Sequence, residues 1–135
     1  MLKVLAIDDD PAMTELLTLL LKTHGFDALT ANTGAEGVRF IREQCPDVVI
    51  LDLMMPGMDG WQVCTQVRAF SNVPILVLSA LDNPGMVASA LDAGADDYLV
   101  KPVTSGVLLA HINTLTRRAA VENRKRLELA AHAAV

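Results

Sequence analysis

Five short apolar runs punctuate the chain, at Val4–Ile7, Ala28–Ala31, Val48–Leu51, Ile75–Leu78 and Tyr98–Val100. Val48-Val49-Ile50-Leu51 and Ile75-Leu76-Val77-Leu78 are apolar at every position. A strand with one wet face alternates with period two, whereas an unbroken apolar run marks a strand covered on both faces. These two runs therefore belong at the centre of a sheet, and the weaker Leu29-Thr30-Ala31 suits an edge. Between the runs, helical spacing predicts helices over Pro11–His24, about Gly34–Gln44, about Gly60–Phe70, about Pro84–Ala93, and from near Thr104 past Arg118. Asp10 is placed to cap the first, with Pro11 at the first helical position and Gly25 as its stop. Thr33-Gly34-Ala35-Glu36 fits the capping box S/T-x-x-E, and Gly94 closes the fourth helix. Strand and helix alternating five times predict an α/β fold with a parallel sheet and helices on both faces.

Composition narrows the class. At 135 residues the chain fits one domain, or one domain with a short appendage. With 52 % hydrophobic and 20 % charged residues, too much apolar surface awaits burial for disorder over most of its length. Sixteen acids against eleven bases give a net charge of −5, the wrong sign for a general nucleic-acid or anionic-membrane binder. Five of the eleven bases nevertheless gather late, as Arg117, Arg118, Arg124, Lys125 and Arg126, ahead of an Ala- and Leu-rich end. Residues 1–120 are expected to form the domain, and 121–135 a helical extension or linker whose charges make a solvated face. Cys45 and Cys64 lack metal-site spacing, which points to a reducing compartment. The start carries Asp8-Asp9-Asp10 where a signal peptide would be apolar, and nowhere are there ~18 uninterrupted apolar residues. A cytoplasmic protein without a membrane partner is expected.

In open parallel sheets, ligands bind beyond the carboxyl ends of the strands, near the reversal of strand order. The residues found there are Asp8 and Asp9 after the first run, Asp52 after the third, Ser79 after the fourth and Lys101 after the fifth. Clustered carboxylates repel each other, and burial disfavours their charged forms unless a cation offsets them. Mg²⁺ suits such a set because it takes hard oxygen ligands and keeps waters for a phosphate. One Asp would then be free to attack phosphorus, with Ser79 and Lys101 facing the developing charge. Asp10, before Pro11, is more simply a helix cap.

Four segments together resemble the receiver domain of two-component response regulators. They are Val4–Pro11, Pro46–Gly60, Val73–Ala80 and Gly94–Pro102, and the likeness runs from residue 1 to about 118. Asp97-Tyr98-Leu99-Val100-Lys101-Pro102 and Leu115-Thr116-Arg117-Arg118 look most like the subfamily that carries winged-helix DNA-binding effectors. The resemblance implies a flavodoxin-like, doubly wound (βα)5 fold with strand order 2-1-3-4-5. It implies Asp52 as phosphoacceptor, and Mg²⁺ held by Asp8, Asp9, Asp52 and the backbone carbonyl of Met54. It implies Ser79 as the switch hydroxyl, Tyr98 as the aromatic that turns inward with it, and Lys101 as the contact to phosphoryl oxygens, before a cis peptide bond to Pro102. The implied partner is a sensor histidine kinase or phosphotransfer protein, and the chain is expected to be either a stand-alone receiver or a piece of a longer protein with a C-terminal effector domain missing from this chain. The domain itself would make no direct nucleic-acid contact, and its own aspartyl phosphorylation and dephosphorylation would be its only catalysis.

The residues add three expectations. Ala80 is small and leaves the acceptor open to a bulky partner. Gly57 and Gly60 let the loop after Asp52 turn tightly. Met54 and Leu81 flank the path to the phosphoryl group and cannot position a water, so self-dephosphorylation should be slow. Departures from the family pattern are Val103, usually aromatic, and Val87, Val107 and His111, which stand where charges of the cross-dimer network usually sit. Asp96, Asp97 and Arg118 remain, so the phosphorylation-dependent homodimer through the fourth helix, fifth strand and fifth helix has few of its ion pairs. His111 is expected to be a surface residue. Two other classes were weighed. A haloacid-dehalogenase-like phosphatase would use Asp8 and Asp10, but Lys101 follows Asp96-Asp97 where its lysine should precede them. A phosphorylation-independent interaction module has no use for Asp8, Asp9, Asp52, Ser79 and Lys101 together. A flavodoxin-like mononucleotide site would need a phosphate loop where three acids stand.

Overall fold

The computed structural model describes residues 1–134. Five strands, β1 (Lys3–Ile7), β2 (Asp27–Ala31), β3 (Val48–Leu51), β4 (Ile75–Ser79) and β5 (Asp97–Val100), form one parallel sheet in the order β2-β1-β3-β4-β5. Strand order reverses between β1 and β3, which are paired from Val4↔Val48 to Ile7↔Leu51. The helices are α1 (Pro11–Thr23), α2 (Gly34–Gln44), α3 (Gly60–Arg68), α4 (Pro84–Ala93) and α5 (Ser105–Ala134).

The unbroken apolar strands follow from a two-sided core. Leu5, Ile7, Val49, Leu51, Ile75 and Val77 join Val38 and Ile41 of α2, Val63, Cys64 and Val67 of α3 and Ala90 of α4 on one face. Their neighbours Val4, Ala6, Val48, Ile50, Leu76 and Leu78 join Leu17 and Leu21 of α1 and Leu108, Ile112 and Leu115 of α5 on the other. Successive strand residues point to opposite faces, so both parities must be apolar.

Cap chemistry sets most helix ends. Asp10 accepts from the Ala12 N–H, and Gly25 leaves α1 at φ +85°, a conformation open to glycine at no steric cost. At α2 the expected capping box is half made. Thr33 accepts from the Glu36 N–H, but the Glu36 carboxylate reaches the Asn32 N–H. The complete box belongs to α3, where Asp59 and Gln62 each accept from the other's backbone. α3 stops at Arg68 rather than Phe70 because the Ala69 and Phe70 N–H groups bond three residues back, to Gln66 and Val67, in a tightened last turn. α5 is a continuous thirty-residue helix, exposed from Glu122 to Ala133, with Arg117, Arg118, Arg124, Lys125 and Arg126 all in solvent. Among the described residues, no helix is long and apolar enough to cross a membrane.

Candidate functional site

The sheet's backbone ladder continues one residue past its strands and so builds the site. The Asp8 N–H donates to the Ala31 carbonyl at 3.1 Å, Asp52 to Ile7 at 3.0 Å, and Lys101 to Ser79 at 2.8 Å. Asp8 and Asp52 thus stand side by side where strand order reverses, the place open α/β sheets use for ligands. One carboxylate oxygen from each of Asp8, Asp9 and Asp52 lies within 4.8 Å of the others. Asp8 is buried, Asp52 half-buried and Asp9 exposed. The Lys101 ammonium donates to Asp8 Oδ2 at 3.0 Å, and the Asp10 N–H to Asp8 Oδ1 at 3.0 Å. The carboxylate of Asp10 is taken up by its cap, as its place before Pro11 predicted.

Asp52 carries the electrostatic stress of this cluster. Burial pushes its carboxyl above the usual aspartate range; Lys101 opposes that, Asp8 adds to it, and the nearby Leu53 and Met54 backbone N–H groups lower it again. The result is a carboxylate kept partly dry, with a cation and two backbone N–H groups near it. The three-carboxylate set is all hard oxygen and opens to water through Asp9, which fits a Mg²⁺ ion that retains part of its hydration shell.

Ser79 ends β4, fully buried, its Oγ accepting from the Leu81 N–H at 3.3 Å. Tyr98, half-buried on β5, donates its hydroxyl to the Leu81 carbonyl at 2.6 Å. Leu81 therefore links the two residues through its two backbone groups. The Met54 side chain is 60 % exposed over the cluster's loop, and Ala80 is exposed. Gly57 has φ +73°, while Gly60 is needed for space: a Cβ there would meet the Asp52 carbonyl at 2.6 Å and Leu53 Cα at 2.7 Å. The Lys101-Pro102 bond is cis.

Asp8, Asp9, Asp52 and Lys101 thus meet at one rim, with Ser79 and Tyr98 joined by the neighbouring loop. Three features differ from the sequence expectations or lay outside them. His111 is half-buried and bonded to Asp97, not a free surface residue, because β5 and α5 bring positions fourteen apart into contact. Asp96 is held at 2.9 Å by Arg68 and also accepts from the Ile75 N–H, so both acids counted toward a cross-dimer network have partners within the chain. Asn32 and Thr14 hold the loop that carries Asp8 and Asp9; Asn32 is a lone polar residue after an edge strand, and only the contact reveals its part. A groove of about 570 Å³ opens elsewhere, among Ile41, Phe70, Pro74, Ala119 and Arg126, and shares no residue with the acid cluster.

A doubly wound α/β sheet with acids and a lysine at its switch point sets the chain among signalling receiver domains. Residues 4–113 match the family described as response regulator receiver domain, and the chain belongs to that family. It is 42 % identical to the DNA-binding response regulator MtrA of Mycolicibacterium smegmatis over 86 % of this chain and 51 % of that protein. It is 44 % identical to the response regulator MprA of Mycobacterium leprae over 87 % of this chain and 52 % of that protein. The chain spans about half the length of these curated relatives. The receiver domain of the Francisella response regulator 1452 superposes with a TM-score of 0.83 at 33 % identity, covering 88 % of this chain and 99 % of that one. The subfamily resemblance and the strand order expected from the sequence both hold.

Proposed function

We propose that the chain is the phosphoacceptor switch of a two-component phosphorelay, taking a phosphoryl group onto Asp52 from a histidine kinase, a phosphotransfer protein or a small phosphodonor. The observation that carries this reading is the convergence of Asp8, Asp9 and Lys101 on a half-buried Asp52 at the switch point. An Asp52 oxygen attacks phosphorus; the new O–P bond forms as the N–P bond of a phosphohistidine breaks, and the electron pair leaves on the imidazole nitrogen. Lys101 and the Leu53 and Met54 N–H groups face the phosphoryl oxygens, and Ser79 Oγ turns from the Leu81 N–H to bond one of them. Asp8, Asp9, Asp52 and the Met54 carbonyl would hold Mg²⁺, which when bound supplies positive charge against those oxygens.

The loop at Leu81, bonded to both Ser79 and Tyr98, is the element such a change biases, and the face of α4, β5 and α5 is its output. A cytoplasmic setting fits the partners. The output fits an effector such as the DNA-binding part named for MtrA, lying outside this chain, and residues 121–134 would form the helix leading toward it. A homodimer through α4, β5 and α5 would draw on few ion pairs, since Asp96 and Asp97 are paired internally.

The test is intact mass after incubation with acetyl phosphate, with and without Mg²⁺, beside Asp52→Asn. One added phosphoryl group that requires Mg²⁺ and is absent from the variant is expected, and it should outlast seconds at room temperature because Met54 and Leu81 present no water-positioning group. An adduct persisting in Asp52→Asn would overturn the assignment.

A further inference from the structure

We infer that Asn32, acting with Thr14, is a positioning residue for the divalent-cation site: its carboxamide sets the plane of the Asp8–Asp9 peptide and so the affinity for Mg²⁺. The inference rests on the phosphoacceptor reading above.

The argument begins with the peptide group. The Asp8 carbonyl and the Asp9 N–H belong to one planar unit, so fixing the carbonyl fixes the direction in which Asp9 leaves the strand. That carbonyl accepts from Asn32 Nδ2 at 2.8 Å. A carbonyl is an acceptor only, so the nitrogen of Asn32 must face it, which settles the orientation of the amide. The same nitrogen donates to Thr14 Oγ1 at 3.1 Å. Thr14 is 3 % exposed and uses its own hydroxyl proton on the Pro11 carbonyl at 3.1 Å, leaving a lone pair for Asn32. Every proton in the chain of bonds is therefore assigned.

The consequence is asymmetric within the acid cluster. Asp8 is fixed at several points besides Asn32, through its N–H to Ala31, its Oδ1 from the Asp10 N–H and its Oδ2 from Lys101. Asp9 is exposed, and its peptide is oriented by the carbonyl that Asn32 holds. Asn32 ties the end of β2 to both sides of the loop, since Asp8 follows β1 and Thr14 lies in the first turn of α1. Partners that orient metal ligands without touching the metal commonly govern affinity as strongly as a weak ligand does.

The experiment is calorimetric titration of Mg²⁺ into the metal-free full chain, for the unsubstituted protein, Asn32→Ala, Thr14→Val and Thr14→Ser. Asn32→Ala is expected to weaken binding about 10-fold. Thr14→Val should weaken it by less, and Thr14→Ser, which keeps the hydroxyl, should restore it. In acetyl-phosphate reactions the half-saturating Mg²⁺ concentration should shift by the same factor, while the rate at saturating Mg²⁺ changes by no more than about twofold. Ile41→Val, a lesion in the core beyond the loop, serves as the stability control by its melting temperature. Unchanged affinity in Asn32→Ala, or an equal loss in Ile41→Val, would overturn the inference. Failure of the unsubstituted chain to bind Mg²⁺ would overturn the phosphoacceptor reading itself, and the inference with it.

Discussion

α4 and α5 flank the same strand, yet they are fastened in different ways. α5 lays Leu108, Ile112 and Leu115 into the core, all nearly solvent-free. α4 contributes Ala90 alone to the buried core and leaves Met86 and Leu91 each 43 % exposed. What holds α4 is polar and sits at its ends. Asn83 caps its start, and the Arg68 guanidinium closes on its finish, donating to the Gly94 carbonyl twice, to Ser71 and Val73 carbonyls and to Asp96. Those bonds use all five N–H groups of the arginine. Buried area fastens α5 along its length, whereas α4 is pinned by polar bonds at one end and joined at the other to the Leu81 loop that Tyr98 holds. Of the two, α4 is the helix with little buried area to lose.

The largest effect should come from the area-fastened helix. Ile112→Ala is expected to cost about 2–5 kcal/mol, read by urea denaturation with the slope unchanged. A loss below that range would mean α5 is held less by packing than its burial indicates. Arg68→Ala comes next, at about 1–3 kcal/mol for half-buried carbonyls left without donors. Hydrogen exchange should show α4 amides losing protection while those of α5 keep theirs; equal loss in both helices would break the comparison. The smallest effect belongs to Asp52→Asn in metal-free buffer. Burial raises the Asp52 pKa, so the folded state holds that proton more tightly than the unfolded chain. The stability it contributes is full below the ordinary value of 3.8 and lost as pH rises through the raised value. Asp52→Asn should therefore be the more stable protein near neutral pH, with the gap closing as pH falls toward 3.8. Denaturant midpoints across a pH series measure it, and a gap that widens on acidification would remove the electrostatic account of the site.

Much of the fold was legible because burial on two faces writes itself into β3 and β4 as unbroken apolar runs. The candidate site was legible for a related reason. Asp8, Asp52, Ser79 and Lys101 each follow an apolar strand directly, so topology alone carries them to one rim. Contacts that depend on register were hidden. Asp97 meets His111 and Arg68 meets Gly94 across elements whose relative height no local pattern records. The capping box at Asp59 and Gln62 was readable as D-x-x-Q but lay beside the more familiar Thr33 to Glu36 spacing, which closes only half its bonds. Asn32 was silent for a further reason, since the shorter of its two side-chain bonds runs to a backbone carbonyl and leaves no trace in the residue opposite.

The unbroken course of α5 has a mechanical consequence. Its inner stripe is seated on the sheet, and the helix runs on without a break past Ala120, where Ala120, Glu122 and Arg126 still border the groove beside Ile41 and Phe70. At 1.5 Å per residue the run from Ala120 to the end of α5 is a helical arm of roughly 22 Å. A tilt of about 10° at its base would sweep the tip through roughly 4 Å over that length, so displacements too small to disturb the core become large at its far end.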